Sequence, residues 1–503
     1  MSMKLSELLE GFVSCQNIIF SNVGDMVITG LTLDSREVIN GNAFIALVGS
    51  QQHGLAHANQ AILKGAVVVI YDPLGGGEPL AESIDWVPMI AVDNLAIKLG
   101  EIAARYYGEP SRSMSVIGVT GTNGKTSCTQ FLSQMLNDCG VVGTLGWGEW
   151  GHLYKTLNTT PDALEIQRIL AELLRNKKNV VAMEVSSHGL SQGRVNGVKF
   201  KGAVFTNISR DHLDYHGTME AYLQAKLQLL DKPGLAFVVV NLDDPYCEQI
   251  IDAVPSNVVI WGISFKDKTL KVGESVNAAA TLHSAEGIEF VVNWRGDSQR
   301  IYVPVYGDFN AENSLLVLTV MLAMGYSLSE VAEKLMSVKP VTGRMQHFGG
   351  NELPLVFVDY AHTPDALNKV LSGLRKHCQQ SLWVVFGCGG NRDKGKRAEM
   401  GAIAEQWADR VIVTDDNPRF EDGLDIVGDI LAGCKASISS DSNAKIIVIQ
   451  NRKQAIQTAI LNATEDDCIV IAGKGHEDYQ EINGEKINFS DSQVVVDTLK
   501  MRA

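Results

Sequence analysis

The sequence predicts an α/β fold in three domains, with mainly parallel sheets in the second and third. The chain has 503 residues, and a domain usually takes ~150. From Ser115 onward, short apolar runs alternate with stretches of helical periodicity, which is typical of βαβ units. Several of these runs end in polar, glycine-rich segments, as strands do at the ligand-binding edge of an open parallel sheet.

Composition excludes several classes of protein. The net charge of −15 argues against broad binding to nucleic acid or to an anionic membrane. No apolar run approaches the ~20 residues of a membrane span, and residues 1–20 carry Glu7 and Glu10, unlike a signal peptide. The eight cysteines form no CxxC pair, so we expect reduced thiols and neither disulfides nor a zinc site. These features predict a cytoplasmic protein, and we expect a monomer.

Changes of pattern divide the chain into segments 1–110, 111–340 and 341–503. The first has apolar runs at 43–48 and 66–71 and a glycine-rich turn at 73–79. In the second, a helix is predicted over 125–139 and strands at 116–120, 180–185, 203–206 and 236–240. The third has predicted strands at 355–358, 382–386, 410–413, 445–449 and 468–471, which is a doubly wound pattern.

The sharpest local signal is GVTGTNGKT at 118–126, between a predicted strand and a predicted helix. Glycines let the backbone curl so that its N–H groups face phosphate oxygens, and a helix N-terminus adds partial positive charge. Lys125 would reach the β- and γ-phosphates, and the Thr126 hydroxyl would bind Mg²⁺. The strict pattern has a glycine where Val119 stands, so this is a shortened variant. The alternative is a chance Gly-Lys-Thr turn.

Two polar clusters follow later strands of the same predicted sheet, EVSSH at 184–188 and NISRDHLDYH at 207–216. Carboxylate and imidazole groups at strand ends beside a phosphate loop are candidate metal ligands. Glu184 and His212 are therefore the metal candidates. A single histidine in such a place is more often structural, but two clusters beside one loop favour a metal site.

Four predicted strand ends of the third segment carry charged or glycine-rich signatures: DYAH at 359–362, GCGGNRD at 387–393, DDNPR at 415–419 and GKGHE at 473–477. Each alone fits a solvated loop, whereas four together indicate a substrate crevice. Arg392 and Arg419 suit a carboxylate or phosphate, and Asp416 and Glu477 suit an ammonium group. A site with both signs of charge suits a zwitterion such as an amino acid.

Together these motifs resemble the Mur ligase family, in the branch that adds the third residue of the cell-wall peptide. The resemblance runs from LDSR at 33–36 to 473–480. It implies an N-terminal domain for the uridine end of the substrate, a central P-loop ATPase-like domain with a parallel sheet, and a Rossmann-like C-terminal domain for the amino acid. The implied activity is ATP- and Mg²⁺-dependent ligation of meso-2,6-diaminopimelate to UDP-N-acetylmuramoyl-L-Ala-D-Glu through an acyl-phosphate, in peptidoglycan biosynthesis.

The resemblance also assigns roles to single residues. Lys226 matches a lysine that the family carries as a carbamate on a second Mg²⁺; unmodified, it would be an ordinary helix-surface lysine. The implied catalytic and metal-binding residues are Lys125, Thr126, Glu184, His212 and Lys226. The implied ATP contacts are Gly121, Thr122, Asn123, Gly124, Lys125, Thr126, Asn310, Asn313, Arg344, Asp359 and His362. The implied contacts to the muramoyl-dipeptide substrate are Leu33, Ser35, His53, Asn158, Thr159, Thr160, Ser186, Gln192 and Arg194. The implied diaminopimelate contacts are Arg392, Asp416, Asn417, Arg419, Gly473 and Glu477.

Arg419 bears on which amino acid is added. Diaminopimelate has a second carboxylate that lysine lacks; Arg419 can pair with it, whereas lysine would bring an ammonium to the same place. Family members that use diaminopimelate resemble this sequence at 416–419, whereas lysine-adding members differ at the Arg position. The alternative is addition of L-lysine. Two further alternatives are a folylpolyglutamate synthetase, which shares the ATP domain, and a nucleotide-binding switch without ligase activity.

Overall fold

The computed structural model describes residues 2–13, 23–49, 51–284, 286–436 and 445–502. Three larger sheets and two two-stranded ones organise these residues. Mixed α/β domains with parallel-rich sheets are therefore confirmed.

The N-terminal part is built on a four-stranded parallel sheet of order β3-β4-β5-β6, beside a small antiparallel pair. Its strands are β1 (Met3–Lys4), β2 (Val27–Ile28), β3 (Gly30–Thr32), β4 (Asn42–Ala46), β5 (Val68–Tyr71) and β6 (Met89–Ala91). Its helices are α1 (Leu5–Leu8), α2 (Ala58–Leu63), α3 (Gly77–Ala81) and α4 (Leu95–Tyr106).

The predicted turn at 73–79 is only partly correct, because α3 begins inside it at Gly77. Pro79 falls in the first turn of that helix. Proline is tolerated there, since the N–H groups of a first helical turn have no partner within the helix.

The central part is built on an eleven-stranded sheet of order β10-β9-β8-β11-β7-β12-β13-β14-β15-β16-β17. Its strands are β7 (Ser115–Thr120), β8 (Cys139–Gly143), β9 (Gly146–Glu149), β10 (His152–Tyr154), β11 (Val180–Glu184), β12 (Phe200–Phe205), β13 (Phe237–Asn241), β14 (Val259–Ser264), β15 (Glu274–His283), β16 (Ile288–Trp294) and β17 (Asp297–Val303). Its helices are α5 (Lys125–Met135), α6 (Ala163–Arg175), α7 (Ser187–Ser191), α8 (Leu213–His216), α9 (Met219–Leu227), α10 (Cys247–Asp252), α11 (Asp308–Ala323) and α12 (Leu328–Leu335).

This sheet is parallel from β8 to β15, as predicted, and antiparallel at both edges, which was not predicted. The inner strands β11 and β13 are buried throughout, because hydrophobic clusters cover both faces of the sheet. The helix predicted over 125–139 is too long. It ends at Met135, because Leu136 takes an extended conformation, and Cys139 already begins β8.

The C-terminal part is built on a six-stranded sheet of order β18-β19-β23-β20-β21-β22, parallel except for the β18–β19 pair. Its strands are β18 (Gln346–Gly350), β19 (Leu353–Asp359), β20 (Leu382–Phe386), β21 (Arg410–Val413), β22 (Ile446–Val448) and β23 (Cys468–Ala472), followed by the hairpin β24 (Tyr479–Ile482) and β25 (Glu485–Asn488). Its helices are α13 (Pro364–Arg375), α14 (Gly395–Trp407), α15 (Gly423–Leu431), α16 (Arg452–Asn462) and α17 (Asp491–Arg502).

The sheet orders decide which loops meet. In the central sheet β11, β7 and β12 are parallel neighbours, so the segments after Glu184, Thr120 and Phe205 leave the same edge. In the C-terminal sheet β19, β23, β20 and β21 are parallel neighbours, which brings together the four predicted polar strand ends. The cysteines of the described residues are free thiols.

Candidate active site

The loop after β7 has the backbone that a phosphate loop requires. Gly121 and Gly124 take φ values of 143° and 88°, which disfavour residues with a side chain. A Cβ on Gly121 would lie 1.9 Å from the Thr206 hydroxyl, and one on Gly124 would lie 2.4 Å from the amide oxygen of Asn313. The Lys125 ammonium folds over the loop and donates to the carbonyls of Gly121 and Thr122, each at 2.8 Å. Burial lowers the pKa of Lys125.

Glu184 ends β11 directly beside this loop and is buried. One carboxylate oxygen accepts a hydrogen bond from the Thr126 hydroxyl at 3.0 Å, and the other accepts from the backbone N–H of Thr144 at 2.8 Å. A carboxylate and a hydroxyl in contact at the end of a phosphate loop are hard oxygen ligands, which suit Mg²⁺. Glu184 and Thr126 therefore fit a magnesium ion.

His212 immediately precedes α8 and takes a left-handed conformation, with φ 53°. Its half-exposed ring lines the same cavity as Lys125, Thr126 and Glu184. The ring packs at 4.8 Å from that of His188, centroid to centroid. Within the described ranges, no three His, Cys, Asp or Glu side chains are close enough to hold a metal ion by themselves. A complete ligand set would therefore need groups of another kind, such as the Thr126 hydroxyl, substrate phosphates, water or a modified Lys226.

Lys226 is not the surface lysine that its unmodified sequence suggests. Its side chain is 1% exposed, its ammonium lies 4.5 Å from the centre of the Tyr222 ring, and it donates to the carbonyl of Gly121 at 2.8 Å. Burial, and then the nearby Lys125 charge, lower the pKa of Lys226 well below its usual value. Packing of α9 against the phosphate loop thus brings the Lys226 ammonium to the Gly121 carbonyl, whereas Lys226 does not line the cavity that Lys125, Thr126 and Glu184 share.

A cavity of about 270 Å³ separates the central and C-terminal parts. The phosphate loop forms one wall, and Arg344, Asp359 and His362 lie on the other. The Arg344 guanidinium reaches the Thr126 hydroxyl at 3.4 Å and stacks on Tyr360. Both Asp359 carboxylate oxygens accept backbone hydrogen bonds, and burial raises its pKa. The Nδ1 of His362 donates a hydrogen bond to the Tyr360 carbonyl at 2.7 Å.

The two predicted ATP contacts on α11, Asn310 and Asn313, differ in their position relative to the cavity. Asn313 lines the cavity, whereas Asn310 does not and is buried behind it. The Asn310 amide oxygen accepts a hydrogen bond from the Asn313 amide nitrogen at 3.1 Å. Asn310 therefore supports Asn313 in this structure. Asp365 also joins the two walls, because one of its oxygens accepts from the Asn123 amide at 3.2 Å and from the Ser209 hydroxyl at 3.1 Å.

The predicted muramoyl-dipeptide residues form one network beside Glu184. The Thr160 hydroxyl donates to the Glu184 carbonyl at 3.0 Å and accepts from the Ser186 backbone at 2.9 Å. The Arg194 guanidinium donates to the Thr160 carbonyl at 2.8 Å and to the Gln192 side chain. Thr159 joins through its hydroxyl, which contacts that of Thr144 at 3.0 Å, and Asn158 is exposed nearby.

The predicted uridine residues lie at the carboxyl edge of the N-terminal sheet. Ser35 is buried, and its hydroxyl donates to Gln60 at 2.7 Å. Leu33 packs against the core of that domain. Both ring nitrogens of His53 are hydrogen-bonded within the domain. Because Nδ1 accepts from the Leu55 N–H, Nε2 carries the proton, and it donates to the Asp72 carbonyl at 2.9 Å. Any contact of His53 with uridine would have to use its backbone.

The predicted diaminopimelate residues gather at the carboxyl edge of the C-terminal sheet. Asp416 and Asn417 are buried, Glu477 and Arg419 are partly exposed, and Arg392 is exposed. The Arg419 guanidinium donates to the Gly390 carbonyl at 2.9 Å and pairs with Glu481 at 3.2 Å. A Cβ on Gly473 would lie 2.4 Å from a carboxylate oxygen of Asp416, which explains why glycine stands there.

Sequence reasoning did not assign several residues that the structure brings into these sites. They are Thr144, Asp365, Lys474 and Glu481. Lys474 stood within the GKGHE motif and could have been found there, since a lysine between two predicted ligands is a candidate partner for them. Nothing in the pattern marked Asp365, because its role depends on how two domains face each other.

Three family models match the chain in succession. The Mur ligase family catalytic domain matches residues 27–107, the Mur ligase middle domain matches 119–321, and the Mur ligase glutamate ligase domain matches 343–475. The phosphate loop, the cavity between domains and these matches define a three-domain ligase architecture. The chain belongs to the Mur ligase family.

Several of its relatives within the family carry the same name. The UDP-N-acetylmuramoyl-L-alanyl-D-glutamate–2,6-diaminopimelate ligase of Pseudomonas aeruginosa is 46% identical over 473 residues, which cover 93% of this chain and 94% of the relative. That of Alkalilimnicola ehrlichii is 41% identical and covers 99% of each chain. A solved structure of a ligase of the same name is 34% identical, with a TM-score of 0.71 over 100% of this chain and 99% of the other.

In the described part of the chain, the helices are all too short or too polar to cross a bilayer.

Proposed function

We propose that this chain joins meso-2,6-diaminopimelate to UDP-N-acetylmuramoyl-L-Ala-D-Glu, with hydrolysis of ATP to ADP and phosphate. The relatives named above carry this activity in their names and cover nearly the whole chain. The observation that carries the proposal is the cavity in which the phosphate loop faces Arg344, Asp359 and His362. The domain that supplies Asp359 and His362 also carries the charged crevice at Asp416 and Arg419, which suits an amino acid.

In the first step, an oxygen of the D-glutamyl γ-carboxylate attacks the γ-phosphorus of ATP. The bond from that phosphorus to the β-phosphate oxygen breaks, and ADP leaves. Lys125, the loop N–H groups and Arg344 stand where they can balance the phosphate charge, so the contribution of the protein is positioning and electrostatics. Asn313 and His362 line the same cavity and are candidates to contact the nucleotide.

Thr126, Glu184 and His212 would hold Mg²⁺, which would supply charge neutralisation at the transferring phosphoryl group. Lys226 as a carbamate would add a further anionic oxygen ligand. Its burial beside the Gly121 carbonyl places its nitrogen next to the phosphate loop and supports this assignment.

In the second step, the neutral amine of diaminopimelate attacks the acyl carbon, and the bond from that carbon to the phosphate oxygen breaks. The amine loses one proton, which solvent or the departing phosphate can take. The network of Thr160, Ser186 and Arg194 would hold the peptide acceptor beside Glu184. Closure of the domains around the acyl-phosphate would exclude water from it.

Arg419 and the crevice around it support diaminopimelate over L-lysine. The guanidinium has five N–H donors, and its bonds to Gly390 and Glu481 use only part of them. The remaining donors can pair with the second carboxylate of diaminopimelate. A folylpolyglutamate synthetase would not need the matched N-terminal domain, and a switch would not need an amino-acid crevice.

The decisive experiment measures phosphate release with ATP, Mg²⁺ and the UDP-linked dipeptide, and compares meso-diaminopimelate with L-lysine. Release only with diaminopimelate is expected. Release with lysine would keep the ligase chemistry and overturn the assignment of the amino acid. Release that needs neither amino acid would favour the switch. Domain boundaries near residues 110 and 341, a monomeric state and a cytoplasmic location are part of the same proposal.

A further inference from the structure

The loop after β23 contains a lysine that is completely buried. Lys474 has 0% of its side chain exposed, and it stands between Gly473 and Glu477. Its ammonium donates to a carboxylate oxygen of Glu477 at 3.1 Å and to the amide oxygen of Asn417 at 3.0 Å. A buried ammonium is costly unless it is paired and hydrogen-bonded. A buried lysine is therefore tolerated only where its hydrogen bonds and an opposite charge offset the free-energy cost of removing its ammonium from water.

These contacts close a triangle. The Asn417 amide nitrogen donates to the same Glu477 oxygen, Oε2, at 3.0 Å. The Asn417 amide oxygen also accepts from the backbone N–H of Glu481 at 2.9 Å. Two donors thus face one end of the Asn417 amide and one acceptor faces the other, which fixes its orientation.

The triangle determines what the two residues can offer a ligand. Both bonds to Glu477 use Oε2, which leaves Oε1 to receive an ammonium of the substrate. Asn417 uses one hydrogen of its amide nitrogen on Glu477 and keeps the second. Arg419 forms an ion pair with Glu481 in the same region, and Lys474 forms one with Glu477. Each of these two cations therefore has a glutamate as its partner.

We propose that Lys474 is a positioning residue for the amino-acid substrate, acting through Glu477 and Asn417 without touching the substrate. This rests on the proposed function, because it takes the crevice at Asn417, Arg419 and Glu477 as the diaminopimelate site. Without the ammonium, the Glu477 carboxylate and the Asn417 amide lose the cation that they share, and the Glu481 N–H remains as the donor to the Asn417 amide oxygen. Binding of diaminopimelate then weakens, while binding of ATP does not.

The test replaces Lys474 by Met, which keeps the length and removes the charge, and by Gln, which keeps a donor and removes the charge. Both variants should raise KM for meso-diaminopimelate about 10- to 100-fold, as expected for loss of a charged hydrogen-bonding group. KM for ATP should change less than about twofold. If Lys474→Met does not fold, Lys474→Gln decides.

Lys486→Met is the matched control. The Lys486 ammonium lies 4.4 Å from the centre of the Tyr479 ring, and that of Lys474 lies 5.5 Å from the same ring. Lys486 is exposed, and its ammonium makes no hydrogen bond to Asn417 or Glu477 among the described residues. This variant should keep the wild-type KM for diaminopimelate.

A double variant separates positioning from general damage. If Lys474 acts through Glu477, then Lys474→Gln with Glu477→Gln should raise KM by less than the product of the two single effects. Independent effects, an unchanged KM, or an equal loss for ATP and diaminopimelate would each overturn the role of Lys474. Wild-type protein that releases no phosphate with diaminopimelate would instead overturn the proposed function.

Discussion

Lys125 and Lys226 donate hydrogen bonds to the same acceptor, the backbone carbonyl of Gly121, each at 2.8 Å. Two ammonium groups on one oxygen repel each other, and the deeper one is disfavoured as a cation because it is also desolvated. Burial, and then the charge of Lys125, accordingly lower the pKa of Lys226 well below its usual value. A neutral amine is the nucleophilic form, and carbon dioxide would convert it into an anion beside Lys125.

Removal of carbon dioxide should therefore lower activity. We expect prolonged dialysis in carbon-dioxide-free buffer to slow phosphate release, and bicarbonate to restore it, because the carbamate would be lost and reformed. Lys226→Met should lose at least about 10- to 100-fold in rate, the usual effect of losing a group that holds a metal, and should not respond to bicarbonate. Lys232→Met is the control, since Lys232 is a lysine whose pKa burial also lowers but which bonds to Asn196. Full activity of Lys226→Met would contradict the carbamate.

Lys125→Met should abolish ligation without unfolding the protein. We expect phosphate release to fall by at least about 100-fold, because a preorganised charge at the transferring phosphoryl group is lost. The fold should survive, since the Gly121 carbonyl keeps its bond from Lys226. The measurement is phosphate release together with a thermal melt, and Lys201→Met, an exposed lysine on β12, is the control. A near-wild-type rate would remove Lys125 from the phosphate site.

The sequence predicted the parts of the site that depend on strand order along the chain. A glycine loop, Glu184 and His212 each follow a short apolar run, and parallel pairing of those runs is enough to bring them to one edge. The same reasoning placed Asp359, Asp416 and Gly473 together in the C-terminal domain.

It failed where packing between elements decides the outcome. The helical pattern around Lys226 does not reveal burial, because α9 turns that side chain toward the loop after β7 only in the folded protein. The prediction that His53 contacts uridine stays a prediction, but the pattern did not reveal that both ring nitrogens are bonded within the domain, which leaves the backbone of His53 for such a contact. The antiparallel strands at the edges of the central sheet were missed because edge strands lack the long apolar runs that mark buried ones.

Arg419→Ala should impair the use of diaminopimelate far more than that of ATP. We expect KM for diaminopimelate to rise about 100-fold, the effect of losing a bidentate pair to a carboxylate, with KM for ATP almost unchanged. The preference for diaminopimelate over L-lysine should fall as well. Arg300→Ala is the control, because Arg300 is exposed on β17 and pairs with Glu289 at 3.3 Å. An equal loss for ATP and diaminopimelate would contradict the role of Arg419.

Glu421 should make the C-terminal domain sensitive to acid. The Arg397 guanidinium, and then the Asn391 backbone N–H, lower the pKa of Glu421 from 4.5 to about 2. Since the folded protein favours the carboxylate, this stabilisation is fully present above the usual pKa and is lost as the pH falls toward about 2. The Arg397 side chain is completely buried, so water cannot take the place of the Glu421 carboxylate beside it. Its second carboxylate partner is Asp429, at 2.9 Å.

Glu421→Gln should therefore lower the free energy of unfolding by about 2 kcal/mol at neutral pH, after allowance for the part of Glu421 that water reaches. The difference from wild type should shrink in acid, because below the usual pKa the unfolded wild-type protein binds a proton at Glu421 while the folded protein does so only near pH 2. Urea unfolding at about pH 7 and about pH 3 measures both values. Glu465→Gln, an exposed glutamate in the same domain, should leave the pH dependence unchanged. A constant difference between Glu421→Gln and wild type at both pH values would show that the carboxylate charge does not stabilise the domain.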